Sequence, residues 1–163
     1  MKNLLILVFL MLVFSSSKGQ KDKANDKIVY SFVEEWLSSS GSEECALKFL
    51  NIHKSYLDTD EAKNFFFEWF ASFCQVIKGE IEKSNGEYQI IKHKHNTNNE
   101  AIKKFNLSTN DYSGVYYLII NGEVVTSLIV KNSRIISYCV IMVHPNKSRF
   151  NRPWLINEAL KQE

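Results

Sequence analysis

One hairpin dominates the sequence: Val115-Tyr116-Tyr117-Leu118-Ile119-Ile120-Asn121-Gly122-Glu123-Val124-Val125. β-branched and aromatic residues favour strands, and Asn-Gly favours a two-residue type I′ turn because both residues tolerate positive φ. The segment therefore predicts antiparallel strands at 115–120 and 123–130. A second turn signal, Asn132-Ser133, precedes a further apolar segment that predicts one strand over 134–143.

Both faces of this predicted meander are apolar. With two-residue turns, cross-strand pairing places Tyr117 on one face with Leu128 and Val130, and Tyr116 with Leu118 on the other. When one face of an antiparallel sheet is exposed to solvent, apolar and polar residues alternate along its strands. We therefore expect helices to cover one face. On the other, we expect a second subunit, or a sheet that curls around a ligand cavity.

Three predicted helices precede the sheet. Apolar residues recur at helical spacing from Ile28 to Leu37. A second helix carries an apolar stripe made of Ala46, Phe49, Leu50, His53 and Leu57. A third, at 59–84, has so many aromatic residues that we expect burial on most sides. A strand at 88–95 and a short helix near 99–105 then lead to the hairpin.

The predicted class is α+β, with N-terminal helices packed on a curved antiparallel sheet of about four strands. The chain has 163 residues, of which 45% are hydrophobic, with 6 Gly and 2 Pro. This composition supplies apolar material for one core and excludes a disordered or collagen-like chain. We expect a single α+β domain over residues 27–163.

Residues 1–19 have the pattern of a secretory signal peptide. Lys2 precedes an uncharged apolar run at 4–14, which is shorter than the roughly 20 residues that a membrane-spanning helix needs. Ser17-Lys18-Gly19 places small residues at positions −3 and −1 of a cleavage site. We expect cleavage after Gly19, a flexible leader at 20–26, and an exported protein, periplasmic or secreted, with no stable membrane insertion.

Charge argues against nucleic acid as a partner. Removal of residues 1–19 takes Lys2 and Lys18 from the 20 basic residues and none of the 18 acidic ones, so the charges balance. A surface without a dominant sign gives no long-range attraction to polyphosphate.

Three cysteines are compatible with one disulfide in an oxidising compartment. Cys45 and Cys74 lie in predicted helices and would form the bridge if those helices pack together. The alternative is that both are buried thiols, as we expect for Cys139.

The histidines are the candidates for metal binding or acid/base catalysis. His93 and His95 would share one face of a strand and offer two metal ligands, or belong to the frayed cationic end of an edge strand. His53 reads as a core or rim residue, with an acid/base role as the alternative. The sequence has no Gly-x-Ser-x-Gly, phosphate-loop, His-Glu-x-x-His or Cys-x-x-Cys motif. We expect no cofactor.

Aromatic residues provide a candidate ligand site. Phe66 and Phe70 on the third helix, with Tyr117 and Tyr138 on the sheet and His53 at the rim, would line an apolar pocket. Core packing is the alternative use of the same residues.

Helices followed by an antiparallel meander, with the opening helix Ile28-Val29-Tyr30-Ser31-Phe32-Val33-Glu34-Glu35-Trp36, resemble the NTF2-like, or cystatin-like, α+β roll over residues 26–143. The resemblance implies a conical sheet around a pocket and an outer sheet face that dimerises. The long aromatic third helix departs from that pattern, and no catalytic residue is carried over.

These observations predict an exported, non-catalytic domain that binds a small apolar ligand or a protein partner through a curled sheet, as a homodimer. The alternatives are an NTF2-like enzyme that uses a pocket histidine as acid or base, and a secreted structural protein.

Overall fold

The computed structural model describes residues 23–94, 98–143 and 150–158, and its class is α+β, as predicted. The predicted signal peptide and most of the predicted leader lie outside these residues. The helices are α1 over 23–38, α2 over Glu43–Phe49, a short 3-10 helix over Lys54–Tyr56, α3 over Asp60–Lys83 and α4 over Glu100–Phe105.

The long helix α3 matches its predicted span because both ends carry helix signals. The Thr59 hydroxyl accepts a hydrogen bond from the Ala62 N–H at 3.1 Å, and Asp60 and Glu61 stand at the positive end of the helix dipole. Gly86, with φ of 85°, follows the last turn. Within the described residues no helix, α3 included, has the length and apolar character that crossing a membrane requires.

A four-stranded antiparallel sheet follows in the order β1-β2-β3-β4. Its strands are β1 (Gln89–Lys92), β2 (Val115–Ile120), β3 (Glu123–Lys131) and β4 (Arg134–Ser137). Asn121 and Gly122 have φ of 52° and 74°, which confirms the tight hairpin turn. β5 (Val140–Val143) and β6 (Phe150–Pro153) form a separate two-stranded sheet.

The single strand predicted over 134–143 is wrong, because the chain leaves the first sheet after Ser137. Tyr138 turns into the core with no exposed surface. The Cys139 carbonyl accepts hydrogen bonds from the Trp154 N–H and the Ser137 hydroxyl, both at 3.1 Å. Pairing with the C-terminal segment thus replaces continued pairing with β3.

The predicted second helix is also too long, since α2 ends at Phe49. The Asn51 N–H donates to the Ile135 carbonyl at 2.9 Å, and the His53 N–H donates to the Ile156 carbonyl at 2.8 Å. These tertiary hydrogen bonds hold residues 50–53 extended, so His53 does not lie on a helical stripe.

The prediction that Leu128 shares a sheet face with Tyr117 is wrong, because a β-bulge shifts the register between β2 and β3. The register between β2 and β3 shifts between Leu118 and Ile119. On the side of this shift that is farther from the hairpin turn, Tyr116 lies opposite Leu128. One extra residue in a strand moves every later side chain to the other face. Leu128 therefore lies with Tyr116 and Leu118 in the core under the helices.

Both faces of the sheet are covered, as the apolar pattern predicts, and the chain itself supplies both covers. α1, α2 and α3 cover one face. On the other face, α4, the segment after it and the C-terminal segment pack on the sheet. This second cluster contains Ile102, Leu107, Val115, Tyr117, Ile119, Ile129 and Ile136.

Candidate functional site

The two long faces of α3 differ sharply in exposure. The inner face is packed against α1 and the sheet by Phe66, Phe70, Cys74 and Ile77. A second side, roughly 100° around the helix from the inner face, presents Phe65, Trp69 and Val76, which are 60%, 47% and 60% exposed. We call these three residues the outer stripe. Large apolar side chains grouped on one exposed face are typical of a surface that binds another molecule.

Helix geometry makes the outer stripe one continuous surface. At about 100° per residue, Phe65, Trp69 and Val76 point within roughly 40° of one another. Ser72, also exposed, lies between them, and Gly79 follows one turn later. A Cβ built on Gly79 meets no atom within 4 Å, so the helix surface is open there.

Trp69 connects the outer stripe to the body of the domain. Its ring packs edge-on against Trp154, with centroids 6.1 Å apart and an interplanar angle of 89°. Trp154 in turn packs against Tyr56 and Tyr138. Trp69 is thereby held in place while half of its side chain remains available to a partner.

The aromatic residues predicted to line a ligand pocket pack against one another or against the sheet. Phe70 and Tyr138 have ring centroids 5.1 Å apart, and Phe66 lies in the same cluster. Tyr117 lies on the other face of the sheet. The structure therefore does not bring all of the predicted pocket residues together.

Open clefts lie elsewhere on the described surface. One of about 840 Å³ runs beside α4, and one of about 640 Å³ lies between α1 and α2. The lining of the second includes four charged side chains, among which Glu35 and Lys48 form an ion pair. Neither cleft includes any of the predicted pocket residues.

His53 caps the 3-10 helix. Its Nδ1 accepts a hydrogen bond from the Ser55 N–H at 3.2 Å and lies 2.9 Å from the Ser55 hydroxyl. The ring thus fixes a local turn.

His93 contacts two tyrosines, Tyr117 in β2 and Tyr112 in the loop before it. Its Nδ1 lies 3.0 Å from the Tyr117 hydroxyl, and its ring stacks on Tyr112 with centroids 4.4 Å apart. Burial raises the pKa of Tyr117 to about 12. A tyrosine hydroxyl is protonated near neutral pH even at its ordinary pKa of 10, so it can donate to His93. The predicted second metal ligand, His95, lies outside the described residues. Within those residues no group of three His, Cys, Asp or Glu side chains is arranged to hold a metal.

All three cysteines are buried free thiols. The Cys74 thiol donates to the Trp36 carbonyl at 3.0 Å. Burial raises the pKa of both Cys45 and Cys74 to about 11, and Cys45 lies near enough to Cys74 to add to its shift. A bridge between them stays a prediction.

The outer stripe is the feature that the sequence prediction missed, since an aromatic-rich helix suggested burial on most sides. The available signal was spacing, because Phe65, Trp69, Ser72, Val76 and Gly79 alternate steps of four and three residues. Comparison with protein-family models finds no match, and searches of curated proteins and of solved structures find no significant similarity.

Proposed function

We propose that this chain is an exported, non-catalytic domain that binds a protein partner through the outer stripe of α3. The observation that carries the proposal is the exposure of Phe65, Trp69 and Val76 on one helix face. Aromatic residues, Trp above all, supply much of the binding energy at protein interfaces. An apolar helix face that meets a second helix or a groove is a recurrent mode of recognition.

Two further observations support a protein partner over a small apolar ligand. Both faces of the sheet are covered by the chain itself. The aromatic rings proposed for a pocket are in contact with neighbouring rings, for example Phe70 with Tyr138. Export is proposed from the signal-peptide pattern of residues 1–19, and the NTF2-like roll from element order alone.

Site-specific photocrosslinking in the cells that produce the protein tests this function. A benzophenone amino acid replaces Phe65 in one variant and Val76 in another. A third variant carries it at Glu87, which is exposed and lies outside α3. We expect irradiation to give a protein adduct of one size from positions 65 and 76, with none from position 87. Absence of adducts from both stripe positions would remove the proposed function.

A further inference from the structure

We infer that the partner of the outer stripe is a basic amphipathic helix of another protein. The inference rests on the protein-binding role proposed above and adds the chemistry of the occupant. It comes from the charge pattern beside the stripe.

One edge of the stripe carries a regular row of four polar side chains, of which three are acidic. Glu61, Glu68, Gln75 and Glu82 follow one another at intervals of seven residues and are all exposed. Positions seven apart lie along one side of a helix, as the positions flanking a coiled-coil seam do. The stripe and the row thus have the form of an apolar seam with one acidic border.

The carboxylates of this row are uncompensated. Glu61, Glu68 and Glu82 form no ion pair within the described part of the chain. Two other acids near α3 are paired, since Lys63 lies 2.8 Å from Glu43 and Lys83 lies 2.7 Å from Glu80. A helix with Lys or Arg beside its own apolar seam would complement the acidic row and gain in specificity and association rate.

The same row disfavours a second copy of this chain as the occupant. If two α3 helices paired antiparallel through their outer stripes, their acidic rows would run beside each other. Like charges across an interface oppose association. The homodimer predicted from the two apolar sheet faces gains no support from α3.

The shape of the seam also suits a helix. Ser72 and Gly79 alternate with the large residues, and the surface at Gly79 is open. Small positions of this kind accept side chains that project from a facing helix. The other border of the stripe is formed by this chain's own Trp154, in contact with Trp69.

Binding of two designed peptides tests the inference. Both are helical peptides about three heptads long with the same apolar seam; one has Lys and the other Glu at the flanking positions. Fluorescence anisotropy measures binding of each labelled peptide to the mature protein. Glu68→Lys/Glu82→Lys reverses the row. Glu87→Lys/Glu123→Lys makes the same change of net charge at exposed positions outside α3. Circular dichroism confirms that each variant is folded.

We expect the basic peptide to bind the wild type and the Glu87→Lys/Glu123→Lys variant about equally, and Glu68→Lys/Glu82→Lys roughly tenfold more weakly. Trp69→Ser should also weaken binding. The acidic peptide should bind the wild type at least about tenfold more weakly than the basic one.

Three results would overturn the inference. They are equal binding of both peptides, unchanged binding of the basic peptide to Glu68→Lys/Glu82→Lys, and no binding at all. A wild-type dimer that Trp69→Ser disperses in analytical ultracentrifugation would identify a second copy as the occupant and would likewise overturn it. In each case crosslinking at positions 65 and 76 still decides separately whether the stripe binds a protein.

Discussion

Phe65 and Phe66 are neighbours in the chain, yet the first is 60% exposed and the second has no exposed surface. The same contrast holds along α3 between Trp69, 47% exposed, and the fully buried Phe70. Residue type is the same or similar within each pair, so only the direction around the helix differs. An aromatic-rich helix thus contains two surfaces, one that packs in the core and one that remains exposed to solvent.

The inner surface is a network of rings. Phe70 lies 5.7 Å from Trp36 and 5.1 Å from Tyr138, measured between ring centroids. Because the rings pack this closely, removal of one ring takes packing contacts away from each of its neighbours. On the outer surface, Phe65 and Val76 are each 60% exposed, so truncation of either side chain removes little packing.

The largest expected effect is therefore Phe70→Ala, which should lower the free energy of unfolding by about 3–5 kcal/mol, because it opens a cavity between Trp36 and Tyr138. Phe65→Ala is the matched control and should change stability by less than about 0.5 kcal/mol. Urea unfolding followed by circular dichroism measures both. Equal losses would show that the two surfaces are not distinct.

The next effect concerns the glycine that packs on the inner surface. Gly41 has φ of 73°, and a Cβ there would lie 2.8 Å from Ala71 Cα and 2.9 Å from Cys74 Cβ. Gly41→Ala should cost about 2–4 kcal/mol, from left-handed backbone strain and from overpacking against α3. The urea midpoint reports the loss, and an unchanged midpoint would mean that the loop moves away from α3 at little cost.

Sequence patterns were sufficient to predict an element and its bounds where local signals agreed with the tertiary structure. The Asn121-Gly122 turn, the bounds of β2 and the length of α3 follow from turn chemistry, β-propensity and capping. These effects act over a few residues and need no knowledge of distant contacts.

The failures occurred where distant segments compete with local preference. The predicted second helix ends early because residues 50–53 hydrogen-bond to Ile135 and Ile156. The strand predicted over 134–143 breaks because Cys139 bonds to Trp154. For the outer stripe, composition showed that α3 is aromatic, but exposure depends on which side the rest of the chain covers.

The rate at which thiols react should also distinguish the inner face of α3 from its outer face. Cys74 on the inner face should react with Ellman's reagent only as fast as the protein opens, whereas a Ser72→Cys thiol on the outer face should react within the mixing time. Unfolded wild-type protein should then give three reactive thiols, or one if the predicted bridge between Cys45 and Cys74 forms. Rapid reaction of all thiols in the folded wild type would contradict the packing.

The same burial predicts alkaline destabilisation. Burial raises the pKa of Cys74 from 9.0 to about 11, so between these values the folded protein keeps a proton that the unfolded chain releases. The contribution is present in full below pH 9 and is lost as pH rises through about 11. Urea midpoints should fall over this range, and less steeply in Cys74→Ala. Equal slopes for the two proteins would remove Cys74 as a cause.

The smallest effect should have the opposite sign. Gly79 lies within α3 beside the outer stripe, and a Cβ there meets nothing within 4 Å. Gly79→Ala should therefore stabilise the protein by about 0.5–1 kcal/mol, because Ala restricts the unfolded chain and favours helix at no steric cost. Gly41→Ala is the same chemical change at the inner surface, and it should destabilise. Opposite signs measured by urea unfolding would show that packing against α3 ends at its inner face; a loss of stability in both variants would mean that the surface near Gly79 is also packed.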